Sequence, residues 1–220
     1  LWQVTSAVFV GMKGILPPIQ RYIYLYIPLI TMGLMSREYQ SGSIKLLYSS
    51  PVKNASIIMG KFLSMMIYGL ALMAVLGVFV LFAAITVVNF DYPMILTGML
   101  GLYLLILAYS AIGLFMSSIT KYQVVAAIGT LAILAILNFI GGVGQEYDFV
   151  RNITYWLSIT GRSDSFIEGL MASDDVLYFL IVIGFFLSLS ILKLNTEKSI
   201  MSFKTKVMKY SAIVVVAIAL

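Results

Sequence analysis

Five long apolar stretches, separated by loops whose charge alternates in sign, constrain this chain more than any other feature of it. They lie near 19–35, 57–88, 94–119, 122–142 and 176–194. An apolar run of about 18 residues or more matches the roughly 30 Å hydrocarbon layer of a bilayer. Hydrophobic residues make up 61% of the chain and charged residues 10%, and the mean hydropathy is +1.03, outside the range of a soluble domain. The expected fold class is therefore all-α: a polytopic transmembrane helical bundle with about five complete transmembrane helices. Helices are required because backbone groups in lipid must be satisfied within the segment. The stretch at 57–88 exceeds a simple crossing, so its first turns, with Lys61, are expected to project into water. A further apolar run begins at Tyr210, and the chain opens on Leu1. It reads as a fragment with an upstream helix missing.

Charge sets the orientation. The loop after the first span carries Arg37, Lys45, Lys53 and Lys61 against Glu38, and the turn after the third carries Lys121. The segment after the fifth carries Lys193, Lys198, Lys204, Lys206 and Lys209 against Glu197. The opposite loops hold Asp91, Glu146, Asp148, Asp164, Glu168, Asp174 and Asp175, opposed by Arg151 and Arg162. Lysine-rich loops face the cytoplasm. The net charge of +5 is thus a signature of topology, and no nucleic-acid partner is expected.

Several functions are excluded by what is missing. There is no cysteine and no histidine, which removes disulfides, thiolate and zinc-helix metal sites, and Ser–His or Cys–His nucleophiles. No cofactor, metal or catalytic residue is expected. The apolar interiors read as almost free of ionisable residues, every acid lying in a loop, which argues against a proton-coupled transporter. Gly60-Lys61-Phe62 lacks the upstream glycine and the Ser/Thr of a phosphate-binding loop. The chain is not expected to hydrolyse nucleotide itself.

Small residues recur in the spans, including Gly98, Gly101, Gly113 and Gly129, and read as packing sites between helices. Tyrosines at span ends (Tyr22, Tyr24, Tyr26, Tyr92, Tyr122, Tyr178) read as interfacial anchors. Met65, Met66, Met73, Met94 and Met99 read as lipid-facing filler, with an adaptable lining for apolar cargo as the alternative.

The segment after the first span carries the most information. Ile44, Leu46, Leu47 and Tyr48 give a short helix with one apolar face, with Ser43 as a plausible N-cap and Pro51 as its stop. Such a helix, tied to transmembrane helices at both ends, could lie in the headgroups or receive a push from a cytoplasmic partner. On the other side, Phe149, Ile153, Trp156 and Leu157 recur at helical spacing. They define an expected outer amphipathic segment lying on or dipping into the outer leaflet.

The run Pro-Leu-Ile-Thr-Met-Gly-Leu-Met-Ser-Arg-Glu-Tyr-Gln-Ser-Gly-Ser-Ile-Lys-Leu-Leu-Tyr-Ser-Ser-Pro-Val at 28–52, followed by Ile-Ile-Met-Gly-Lys-Phe-Leu at 57–63, resembles permease subunits of ABC-2-type ABC exporters. The nearest resemblance is to the gliding-motility-associated branch of Bacteroidetes-like bacteria. Ala-Ile-Gly-Leu-Phe-Met-Ser-Ser-Ile-Thr at 111–120 and Asp-Ser-Phe-Ile-Glu-Gly-Leu at 164–170 extend it. Lys45 departs from the pattern, since many relatives carry Glu there. The resemblance implies a membrane-spanning permease subunit of an ATP-driven exporter, in a bacterial inner membrane. It would form the translocation pathway and not act as an enzyme. Its implied partners are a cytoplasmic ABC ATPase subunit, a second permease subunit (homo- or heterodimer) and membrane lipid. It also implies an ATPase-coupling segment containing Arg37, Glu38, Gly42, Ile44, Leu47, Tyr48 and Pro51. Within it the apolar face of Ile44, Leu47 and Tyr48 is expected to dominate docking, because a surface ion pair at Arg37 and Glu38 is worth only about 0–1 kcal/mol. The implied organisation is an extracytoplasmic lead-in at 1–18 and an ABC-2-type transmembrane domain at 19–195. That domain holds the coupling segment at 37–56 and the outer amphipathic segment at 143–175. A basic cytoplasmic linker and the start of a further helix follow at 196–220. The competing expectation is a non-transporting anchor or scaffold of envelope or motility machinery.

Overall fold

The computed structural model describes residues 14–86, 91–140, 159–167, 169–170, 172–198 and 211. Eight helices are set out among them: α1 (Leu16–Thr31), α2 (Ser36–Ser41), α3 (Ile44–Ser49), α4 (Asn54–Thr86), α5 (Tyr92–Ile119), α6 (Gln123–Phe139), α7 (Ile159–Ile167) and α8 (Ser173–Lys198). No strand occurs among the described residues, and the chain is an all-α, multi-pass membrane protein. The outer segment residues Phe149, Ile153, Trp156 and Leu157 lie outside the described residues, as does most of 196–220.

Among the described residues, three helices are long and apolar enough to cross a bilayer: Asn54–Ile85, Tyr92–Ile119 and Ser173–Thr196. Two of the expected spans are shorter than anticipated. α1 ends at Thr31, after 16 residues, and α6 has 17, so at 1.5 Å per residue each spans only about 25 Å. The expected 19–35 span breaks because Met32–Met35 form a turn, in which the Leu34 amide donates to the Thr31 carbonyl. α4, at 33 residues, is about 50 Å long, longer than the roughly 30 Å hydrocarbon layer.

α5 is the axis of the bundle, packing against α1, α4, α6, α7 and α8. Its residues Leu105, Ile106, Ala108, Ala111, Ile112 and Leu114 are wholly enclosed. Close approach is what encloses them. A Cβ on Gly101 would lie 2.3 Å from the Phe166 Cβ of α7, and one on Gly113 would lie 2.0 Å from the Thr31 hydroxyl of α1. In lipid, where burial alone does not drive helices together, such backbone proximity is the main source of attraction. Hydroxyls inside the bundle bond back to their own helix: Thr31 to the Ile27 carbonyl, Thr130 to Ala126 and Ser190 to Phe186. No polar hydrogen of these groups is then offered to hydrocarbon.

The methionines are not lipid-facing filler. Met65 is buried, Met66, Met73 and Met99 pack on the core, and Met94 lies against Gly169. The tyrosines divide: Tyr22, Tyr26, Tyr92 and Tyr122 are exposed, whereas Tyr178 is buried beneath the Arg162 guanidinium, 4.5 Å from its ring centroid. Arg162 also closes a 2.9 Å ion pair with Asp175, fixing α7 to the first turn of α8. Asp174 and Asp175 in that turn complement the helix dipole.

The helix ends sort by side. Asn54 donates to Asn195 at 2.9 Å, and Gln123 donates to Gln40 at 3.3 Å, so the starts of α4 and α6 lie with α2 and the end of α8. This end carries Lys53, Lys61 and Lys121. At the other end Gln20 donates to Ser163 and Asp164 at 2.7 and 2.8 Å.

Candidate functional site

The lysine-rich end is built around an elbow between α1 and α2. Ser117, buried on α5, is its pin. Its Oγ accepts from the Met35 and Ser36 amides at 2.9 and 3.0 Å and donates to the Met32 carbonyl at 2.9 Å. The first amides of a helix have no partner within it, and here a side chain from another helix satisfies two groups at the start of α2. Ser36 Oγ also donates to the Met32 carbonyl, which tightens the turn.

α2 is then fastened to two more helices. Glu38 Oε1 receives the Lys61 ammonium of α4 at 2.5 Å, both side chains being about a quarter exposed. Gln40 accepts from Gln123 of α6. Arg37 does not join the Glu38 pair; it is exposed, and its guanidinium folds over Gly33. Lys61, which the sequence places in water, thus has a specific partner 23 residues away.

Gly42 ends α2 with φ +76°, a left-handed conformation that glycine adopts without steric cost. It turns the chain into α3. Ser43 occupies the N-cap position of α3 but makes no side-chain cap; its Oγ instead meets Ser41 Oγ at 2.8 Å. Ser50 is extended, with ψ 145°, as a residue preceding proline should be, and Pro51 follows.

The face of α3 expected to dominate docking is turned inward. Ile44 belongs to the core, and Leu47 and Tyr48 pack against it. The spacing of 44, 47 and 48 gives one apolar stripe, and the bundle itself takes it up. What α3 and the following turn present outward is Leu46, 75% exposed, and Val52, 45% exposed, beside exposed Lys45, Ser49, Pro51 and Lys53.

Two cavities accompany this framework. An apolar groove of about 720 Å³ runs between α1 and α4, with Tyr22, Ile23, Ile27, Leu72 and Phe79 on its walls and Ile106 of α5 behind. A smaller cavity, about 380 Å³, lies near the opposite end among α1, α6 and α7, lined by Gln20, Arg21, Tyr24, Asn138, Phe139 and Asp164. Arg21 stands in the second turn of α1, within the expected first span. It corrects the reading of spans almost free of charge. A cation inside an apolar run is itself a signal of function, and it was legible in the sequence. No group of three or more metal-ligating side chains occurs among the described residues.

The model of the ABC-2 family transporter protein matches residues 7–147. No curated protein and no solved structure matches the chain.

Proposed function

The chain belongs to the ABC-2 family of transporter proteins and is a membrane component of an ABC transporter; from that premise we propose that it is an export permease of a bacterial inner membrane, driven by a separate cytoplasmic ATPase subunit. In this reading the α2–α3 unit, Arg37 to Pro51, receives the motion of the ATPase. The carrying observation is its mounting. Ser117 on α5, Lys61 on α4 and Gln123 on α6 all hold α2, so a push on α3 is delivered to three membrane helices together. A free headgroup-bound linker has no need of such bracing.

Docking then falls to Leu46 and Val52, with Lys45 and Lys53 beside them, instead of Ile44, Leu47 and Tyr48. The apolar groove between α1 and α4 supports a place on the translocation pathway, since rim residues Tyr22, Tyr26 and Phe79 are exposed. A second permease subunit, identical or different, completes the enclosure. Membership of the gliding-motility branch rests on the Ser36–Phe62 run and belongs to the same proposal.

Co-purification tests it. The protein extracted in mild detergent should bring down an ATPase subunit with a phosphate-binding loop. Leu46→Asp should abolish that association while leaving membrane insertion and thermal stability unchanged. Leu47→Asp should instead lower stability, because its side chain packs inward. An undiminished ATPase yield with Leu46→Asp would remove α3 from the coupling surface.

A further inference from the structure

The cavity beside Arg21 has a chemistry that the export reading leaves unused. Arg21 and Asp164 both line it, yet they form no ion pair with each other. Arg21 is exposed and makes no ion pair among the described residues. Asp164 is exposed too; one of its oxygens accepts from Gln20, which also holds Ser163. Opposite charges are thus held apart in one pocket, with room between them. Tyr24 and Phe139 supply aromatic surface, and Asn138 is oriented by donating to the Leu134 carbonyl and accepting from Tyr109.

Position narrows the choice of ligand. Arg21 lies five residues into α1, at the end of the bundle opposite the lysine-rich elbow, which is the outer-leaflet side in the proposed topology. From there toward the membrane centre, α1 exposes Leu25 and Leu29, and α6 exposes Phe139 and Ile136. Apolar surface therefore continues from the pocket along the bilayer. A ligand that matches this arrangement carries an anion, a cation a few atoms away, no net charge, and a hydrocarbon extension.

We propose that the pocket formed by Arg21, Asp164, Tyr24 and Asn138 binds an aminoethyl phosphodiester, the headgroup of an ethanolamine phospholipid of the outer leaflet. The Arg21 guanidinium takes the phosphate through paired N–H donors, for which its planar fork is suited. The primary ammonium donates to the Asp164 carboxylate and rests against the rings of Tyr24 and Phe139. A quaternary choline ammonium has no N–H to give Asp164, and a glycerol headgroup has no cation. Binding requires neither ATP nor an ATPase subunit.

Native mass spectrometry of the delipidated full-length protein, re-exposed to equal amounts of phosphatidylethanolamine, phosphatidylcholine and phosphatidylglycerol, tests the assignment. The ethanolamine lipid should be retained over the other two by roughly tenfold, the worth of one charge-assisted hydrogen bond. Asp164→Asn should erase that preference, and Arg21→Gln should lower retention of all three lipids together, since each carries the phosphodiester, with melting temperature unchanged as the folding control. Soluble glycerophosphoethanolamine separates the two sources of the headgroup: weak competition by it identifies the intact lipid as ligand, and competition at equal concentration identifies the free headgroup. Equal retention of all three lipids by the unsubstituted protein would overturn the proposal without reference to any variant. So would a preference that survives Asp164→Asn.

Discussion

α4 and α5 are almost indistinguishable as sequences and opposite as structures. Their most apolar stretches have mean hydropathies of 2.5 and 2.1, yet 17% of the first is buried against protein and 67% of the second. Hydropathy therefore does not choose the centre of this bundle. Fit does. α5 carries Gly98, Gly101 and Gly113 where neighbouring helices come within a Cβ of its backbone, whereas Gly60 of α4 has open space around it. α5 also carries Ser117, whose hydroxyl serves another element's backbone. α4 carries Phe79, Phe82 and Ile85 outward, all more than 60% exposed. Lipid and a protein interior are equally apolar, so only shape and hydrogen bonding separate the two helices.

Substitutions that fill α5's close approaches should break this contrast most sharply. Gly101→Leu drives a side chain into Phe166 and Gly113→Val drives one into Thr31. Each should cost about 3 kcal/mol or more, at the upper end of overpacking penalties. The same change at Gly60 of α4 should shift the melting temperature little. Thermal unfolding of detergent-solubilised protein compares them directly, and equal losses at Gly60 and Gly101 would end the distinction.

Next comes the pin. Ser117→Ala leaves the Met35 and Ser36 amides buried without an acceptor, at about 1–3 kcal/mol for an unsatisfied buried group. Hydrogen exchange should accelerate at residues 35 and 36 before it does in the centre of α5. If exchange at the elbow stayed as in the parent protein, Ser117 would be ordinary packing.

A smaller effect is expected at the ion pair that ties α4 to α2. A double-mutant cycle on Glu38→Gln and Lys61→Met should give a coupling of about 1 kcal/mol, the upper range for partly exposed pairs. A value of zero would leave α2 held by Ser117 and Gln123 alone. Smallest of all, Phe82→Leu on the outward face of α4 should fall within about 0.5 kcal/mol of the parent. A larger loss in the assembled transporter than in the isolated chain would show that a second subunit covers this face.

Much of this was readable in the chain. Helical crossings follow from apolar run length and from the need of every backbone group for a partner in lipid. The common side of Lys53, Lys61 and Lys121 follows from the asymmetry of loop charge. The ends of α3 follow from Gly42 and Pro51, because only certain backbone conformations are open to glycine and to a residue before proline. The small residues of α5 were visible as packing sites, though not their partners. Arg21 was equally visible, a charge in the first span, but its relation to Asp164 was not: those residues lie 143 positions apart.

Residue identity alone thus determined that the elements are helices and which apolar runs form them, since these depend on local backbone chemistry and on the solvent each segment meets. Tertiary structure alone decided which apolar helix became the axis and which face of α3 was used up inside. It also gave Glu38 its partner on α4 and placed Arg21 and Asp164 in one pocket. The physical reason is the same in each case. Once a chain is apolar nearly everywhere, hydrophobicity no longer discriminates between positions, and the outcome passes to the shapes of side chains and the few polar groups that meet across the bundle.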